Sequence, residues 1–470
     1  MERPQAIVYQ LDLFTNRQEA IRPLEQRESV SRAQARKASQ IEVEGQQERA
    51  LTQSLMQIVC SVQNIHEAYK QVKRNKGVAG IDQMPIDKFA DWYIANGETL
   101  IEQLLKGRYT PGATRQVEIP KPKGGKRKLG IPTVTDRIIQ QAIAQVLSPI
   151  YERKFSDHSY GFRPKRSTHQ ALQKASSYVS AGRTIVVDMD MQNFFDEVNH
   201  DKLMYKLSRS IGDKTLLRLI RKCLRSGILQ GGLLSQRQKG SPQGSPLSPL
   251  LSNIVLDELD KELEHRGHRF VRYADDVSIF VRSQEAGERV LTSISRFITD
   301  KLKLKINEQK SIVCKSHQTK LLGYTIYRDG NLGIAKSSLS NFKAKIRAIT
   351  RRNRGRSFDQ IITELNLFTQ GWMHYFKLAR GKRQLQNLDA WMRRKLRCYR
   401  LKQCKKTITM QRFLHSLGVE KWHSWILALS GKGHWRKSGC PQAHQAMNLE
   451  WFEKQGLYSL FSIHRRLTIN

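Results

Sequence analysis

Apolar positions along this chain change their period several times, and each change marks an element. From Leu51 they recur at helical spacing as far as NKGVAGID, where Gly77 and Gly80 predict turns. Residues 115–134, RQVEIPKPKGGKRKLGIPTV, form two short strand-like stretches joined at Gly124 and Gly125, the pattern of a hairpin with cations on both flanks. RTIVVDMD (183–190) is a β-branched run ending in acids, and HRFVRYADDVSIFV (268–281) reads as two strands around a tight acidic turn. These stretches predict a central sheet. Beyond Lys336 the period becomes helical: Leu339, Phe342, Ile346 and Ile349 share one face, and Lys343, Lys345, Arg347 and Arg351 lie largely away from it. The spacing returns in Ile362, Leu365, Phe368, Trp372 and Phe376, and again around Leu388, Trp391 and Tyr399, so a helical bundle with a cationic exterior is expected. Residues 1 to about 50, rich in Gln, Arg and Glu, predict a flexible or partly helical extension.

Composition narrows the class. The 470 residues are 39% hydrophobic, enough for cores in two to four domains. Lys and Arg number 81 against 42 Asp and Glu, and the resulting +39 is self-repelling unless a polyanion neutralises it, so nucleic acid is the expected partner. No apolar run approaches the roughly 20 residues of a spanning helix, and MERPQAIVYQ lacks a signal-peptide core. No membrane association is expected, and the place of action is expected to be the cytoplasm. Six scattered cysteines without a CxxC pair argue for reduced thiols, and the histidines show no zinc spacing.

The candidate chemistry is acidic. Nucleotidyl transfer uses two metal ions, one at the primer hydroxyl and one at the triphosphate, so carboxylates must project from neighbouring strands into an open pocket. In YADD, Asp275 and Asp276 occupy the turn of the expected hairpin, and Asp190 ends a strand able to lie beside it. A lone Asp-Asp pair is more often a plain turn or helix cap. Here it stands among further motifs: FVRYADDVSIFV resembles the metal-binding hairpin of reverse transcriptases, and DMDMQNFFDEVNHDKL resembles their first acidic motif. GSPQGSPLSPLLSNIVLDELDKELE, LKLKINEQKS and KLLGYTI continue the match in order. IPKPKGGKRKLGIPTVTDRIIQQAI and SYGFRPKRSTHQAL resemble finger segments of the group II intron reverse transcriptase/maturase family.

That resemblance implies an α+β right-hand polymerase: fingers and palm with an antiparallel sheet over 51–335, an α-helical thumb or maturase domain over 336–425, and a small basic DNA-binding segment over 426–470. Family register selects Asp190, four residues before Phe194, as the first metal ligand and leaves Asp188 as structural support. Asp190, Asp275 and Asp276 are then the catalytic ligands of two Mg²⁺ ions. The resemblance sets Phe195 against the sugar of the incoming nucleotide, Lys121, Arg127 and Lys310 near its triphosphate, and Gln243 with Gly244 against template base and nucleotide. Many relatives have Gly where this chain has Ser245, which puts template clearance in question. Nucleic acid is expected at Arg163, Lys343, Arg347, Arg351, Arg393, Arg394, Lys395, Arg397, Trp435 and Arg436. Trp451 and Tyr458 suit either stacking on DNA or a packed helical cap.

The expected function is an RNA-directed DNA polymerase and maturase that binds a group II intron RNA, assists its splicing and copies it at a DNA target during retrohoming. Its partners would be that RNA, a DNA target and primer, and dNTPs, with no obligate protein partner and with nucleoid association when on DNA. The C-terminal end resembles the bacterial class C branch, and the paired cysteines and histidines of an HNH-type endonuclease domain are missing. Two alternatives share these residues: a domesticated reverse transcriptase of DNA repair or phage defence, and an RNA-binding splicing cofactor with a vestigial polymerase.

Overall fold

The computed structural model describes residues 52–120, 126–230, 233–235 and 237–469, so the expected N-terminal extension and the Gly124–Gly125 turn lie outside the described residues. Near the start, helices Leu55–Val59 and Val62–Arg74 pack against the long helix Val134–Glu152. At NKGVAGID the left-handed residue is Lys76, with φ +48°, rather than either expected glycine. Gly80 is needed for another reason: a Cβ there would stand 2.7 Å from the Thr133 Cα. The side chain of Thr133 caps Val134–Glu152 by accepting from the Asp136 N–H.

The expected finger strands form as β1 (Thr114–Pro120) and β2 (Lys126–Ile131), antiparallel with Ile119 opposite Arg127. Two short strands, β4 (Ile228–Gln230) and β5 (Leu233–Ser235), complete that sheet in the order β2-β1-β4-β5, with β4 parallel to β1.

The second sheet carries the acids. RTIVVDMD becomes β3 (Ile185–Met189), HRFVRYADDVSIFV becomes β6 (Arg269–Tyr273) and β7 (Asp276–Val281), and β8 (Ile312–Lys315) borders β3 on its other side. All neighbours in the order β6-β7-β3-β8 are antiparallel. The sheet is covered on both faces, so β3 carries apolar residues on both sides, broken only at Asp188. Val187, Met189, Val277 and Ile279 face a core shared with the finger helices. Val186, Val271 and Phe280 face a second core built on helix Thr168–Ser180 and continued by the C-terminal helices.

After the small pair β9 (Tyr324–Ile326) and β10 (Leu332–Ile334), helices Lys336–Ile349, Phe358–Tyr375 and Lys382–Gln403 form as their apolar spacing requires. Phe342, Ile346, Ile349, Ile362, Leu365, Phe376, Leu388 and Tyr399 are buried together. Ser357 and Gln360 make a reciprocal capping box at the head of the second of these helices. The boundary expected at 425/426 does not separate two units. Helix Lys421–Leu429 runs through it, and Ala443, Met447, Phe452, Leu460 and Ile463 pack into the same core as the helices before it.

Candidate active site

The β3–β7 register pairs Met189 with Val277. Asp190 directly follows Met189 and Asp276 directly precedes Val277, so the two acids flank the last pair of the ladder. Tyr273 pairs with Asp276, so Ala274 and Asp275 form the two-residue turn of the β6–β7 hairpin. Asp190 is held at its backbone from the 305–311 segment: its N–H donates to Ser311 Oγ at 3.1 Å, and its carbonyl accepts from the Asn307 N–H at 2.9 Å. Its side chain pairs with Lys310, whose Nζ lies 3.2 Å from Oδ2.

Asp276 faces open solvent at the cleft. The protein bulk around that cleft, and then the charges of Asp275, Asp188 and Asp190, push its carboxyl up to about 6. Asp188, on the same strand face as Asp190, accepts from Thr319 Oγ1 at 3.1 Å and Ser278 Oγ at 3.4 Å, and burial raises its pKa. Those two bonds fit a supporting carboxylate. Among the described residues no three or more His, Cys, Asp or Glu side chains are arranged to hold one ion together. As placed, one oxygen of Asp190 is engaged by Lys310 instead.

Phe195 follows directly, half-buried and edge-on to Phe194 at 5.3 Å. Its carbonyl accepts from the Ser241 N–H at 2.6 Å. The glycine-rich loop is thereby tied to Phe195. His200 holds the same loop from below through Nε2 to the Gly240 carbonyl, 2.6 Å away. Gln243 meets β2 through its carbonyl, which accepts from the Gly130 N–H at 2.8 Å, and Gly244 stands exposed with φ +115°. Ser245 is buried and donates to Gln140 of the finger helix, so this departure from the family pattern ties loop to fingers rather than facing the cleft. Arg127 lies on β2, but its side chain, like all of Lys121, lies outside what is described.

Two expected nucleic-acid contacts are corrected by burial. Arg163 is 7% exposed; its guanidinium spans both oxygens of Glu152 and the carbonyls of Ser156 and Ser159, so it fastens the 152–163 segment and has no face for phosphate. Arg397 is 5% exposed and donates to the Met447 carbonyl at 3.0 Å. The other cations stay accessible: Arg347, Arg351 and Arg436 are exposed, and Lys343, Arg393, Arg394 and Lys395 are half-buried. Arg394 lies 4.2 Å over Trp435, Lys395 4.6 Å over the same ring, and Arg347 5.7 Å over Trp391. Burial, together with Arg347, Arg352 and Arg394, lowers the Lys395 pKa. Trp451 packs against Phe358 and Phe413 as part of a cap, whereas Trp435 and Tyr458 remain exposed.

Sequence reasoning missed the backbone anchors Ser311 and Asn307, the His200 strut and the Gln140–Ser245 tie. All join segments more than 35 residues apart, as from His200 to Gly240, and no local pattern carries such a signal.

Comparison with known proteins agrees with this geometry. Residues 119–326 match the family model "Reverse transcriptase (RNA-dependent DNA polymerase)", and residues 339–417 match "Group II intron, maturase-specific domain". Protein YkfC of Escherichia coli is 30% identical over 299 residues, covering 55% of this chain and 78% of YkfC. The group II intron-encoded protein LtrA of Lactococcus lactis is 32% identical over 327 residues, covering 55% of this chain and 54% of LtrA, so the match spans about half of that relative. No helix of the described residues is long and apolar enough to cross a membrane. With a reverse transcriptase region carrying the acidic hairpin and a maturase-specific region following it, the chain belongs to the family of group II intron-encoded reverse transcriptases and maturases, RNA-directed DNA polymerases joined to a helical maturase domain.

Proposed function

We propose that the cleft at the β6–β7 turn adds deoxyribonucleotides to a primer paired with RNA, with Asp190, Asp275 and Asp276 as ligands of two Mg²⁺ ions. One observation carries the reading: Asp190 and Asp276 flank the last β3–β7 pair, beside Asp275, and burial followed by the charges of Asp275, Asp188 and Asp190 raises the Asp276 carboxyl. Such a crowd of hard oxygen donors fits a divalent cation, with the Asp190 carboxylate turned from Lys310 toward the hairpin. When bound, the ions would activate the primer hydroxyl and neutralise charge on the triphosphate.

The chain's own side chains do the rest. Lys310, paired with Asp190, would meet the triphosphate and protonate the departing pyrophosphate. Lys121 and Arg127 neutralise the triphosphate from the finger hairpin. Phe195, whose carbonyl accepts from the Ser241 N–H, would exclude a 2′-hydroxyl, and Gln243 and Gly244 would border the templating base. Residues 51–335 would be fingers and palm. The helices from Lys336 to the C-terminus would grip the duplex and the intron RNA through Lys343, Arg347, Arg351, Arg393, Arg394, Lys395, Trp435 and Arg436. The partners are a group II intron RNA, which the protein helps to splice, a DNA target and primer, and dNTPs, met in the bacterial cytoplasm and on the nucleoid.

Primer extension on an RNA template with Mg²⁺ tests this. Asp275→Asn is expected to lose synthesis by on the order of 10³-fold while RNA binding persists. Equal synthesis by variant and parent would overturn the metal assignment.

A further inference from the structure

One arginine in the acidic hairpin is fully buried. Arg272, two residues before the turn, has no solvent-exposed surface, and neither has its partner Asp260 on helix Ser248–His265. Nε and Nη2 span the two Asp260 oxygens at 2.7 and 2.6 Å. Nη1 makes two further bonds of 2.9 Å, one to Asn253 Oδ1 and one to the carbonyl of Ala274. Replacing a buried ion pair by apolar groups of similar volume is often neutral or stabilising, so the pair is weak as a device for stability alone. Its fourth bond points to its use.

Ala274 is the first turn residue, with φ +59°, a conformation that costs a residue bearing a Cβ about 1 kcal/mol or more. Something must hold it there. Arg272 holds the Ala274 carbonyl from the helix side. From the other side the 158–161 segment lies along β6: the Arg272 N–H donates to the His158 carbonyl and the Tyr160 N–H to the Arg272 carbonyl, each at 2.9 Å. Gly161 then passes so close that a Cβ would stand 2.2 Å from the Ala274 nitrogen. Asn253 links the two sides, donating Nδ2 to the Gly161 carbonyl at 2.9 Å.

We propose that Arg272, anchored by Asp260 and Asn253, is the positioning residue of the acidic turn: it locks Ala274 in its left-handed conformation and so aims Asp275 and Asp276 into the cleft. This rests on the polymerase reading for its consequence but not for its geometry. A planar guanidinium with four of its five N–H groups engaged fixes the distance from helix to turn, which a lysine's single ammonium would not.

The test uses the full chain with Arg272→Met and Asp260→Leu combined, so that no lone charge is buried. The variant is expected to stay folded and to bind RNA within about twofold of the parent, with kcat for primer extension reduced roughly 30-fold, KM for dNTP nearly unchanged and a higher Mg²⁺ requirement, as loss of aim without loss of substrate binding would give. Adding Ala274→Gly, which makes φ +59° easy, should recover a substantial part of kcat. A folded variant with parental kcat and Mg²⁺ requirement overturns the proposal, as does a loss that Ala274→Gly leaves untouched. Hydrogen exchange over residues 271–278 judges the clamp without catalysis: at least tenfold faster exchange is expected in the double variant, and unchanged exchange overturns the clamp. A parent that fails to extend primers while exchange rises as expected would sink the polymerase reading alone.

Discussion

The acidic cleft and the basic C-terminal third hold their charges by different means. In the cleft each carboxylate sits at the end of a strand or in a two-residue turn, with its backbone fixed by ladder or loop hydrogen bonds. In the C-terminal third the cations ride on helix faces, steadied by indole rings at 4 to 6 Å, with long stems that leave the charged tips adjustable. Chemistry at one phosphorus atom needs donors placed to a fraction of an ångström. A grip on a polyanion whose sequence is to be ignored needs mainly charge density. Arg163 and Arg397 belong to neither regime, because their charges are spent inside the protein.

That comparison can be broken most forcefully at Arg163. Arg163→Ala should cost about 3 kcal/mol of stability, by stranding Glu152 and two carbonyls; thermal unfolding would show a clear drop. A normal melting temperature with weakened RNA binding would return Arg163 to the nucleic-acid face. Next, Phe195→Ala should erode discrimination against ribonucleotides by roughly 10- to 200-fold in kcat/KM, while incorporation of dNTPs suffers far less. A parental ratio would reduce Phe195 to a core ring.

On the basic side, replacing Arg347 and Arg351 together by Ala should lower the slope of log K against log salt for duplex binding by about 2, equally for every sequence tried. A sequence-selective loss would mean base reading rather than phosphate contact.

The smallest expected effect is one of pH. Burial lowers the His200 pKa below its ordinary value, and its Nδ1 has no hydrogen-bond partner. The unfolded chain therefore takes up this proton more readily than the folded one. Stability from this group is complete above about 6.5 and is lost as pH falls below it. His200→Gln should flatten the decline in melting temperature between pH 7.5 and 5.5, and an unaltered decline would place its cause elsewhere.

The strands at 185–189, 269–273 and 276–281 and the helices from Lys336 onward were legible because burial imposes its period on neighbouring residues. Local order also made Asp190, Asp275 and Asp276 conspicuous, since acids at strand ends break an apolar run. Arg163 and Arg397 were misread because a cation's residue type says nothing of which way it points, and the boundary at 425/426 because a shift in composition need not be a gap between cores.

Sequence alone thus determined the elements, the acids and the excess of positive charge, all properties of residues close together along the chain. Tertiary structure decided the pairing of Asp190 with Lys310, the closure of Arg272 on Ala274 and the turning inward of two arginines. The arginines are buried, and burial makes their pairings obligatory: a charge removed from water must find partners wherever the fold has brought them, Asp260 for Arg272, Glu152 for Arg163 and the Met447 carbonyl for Arg397.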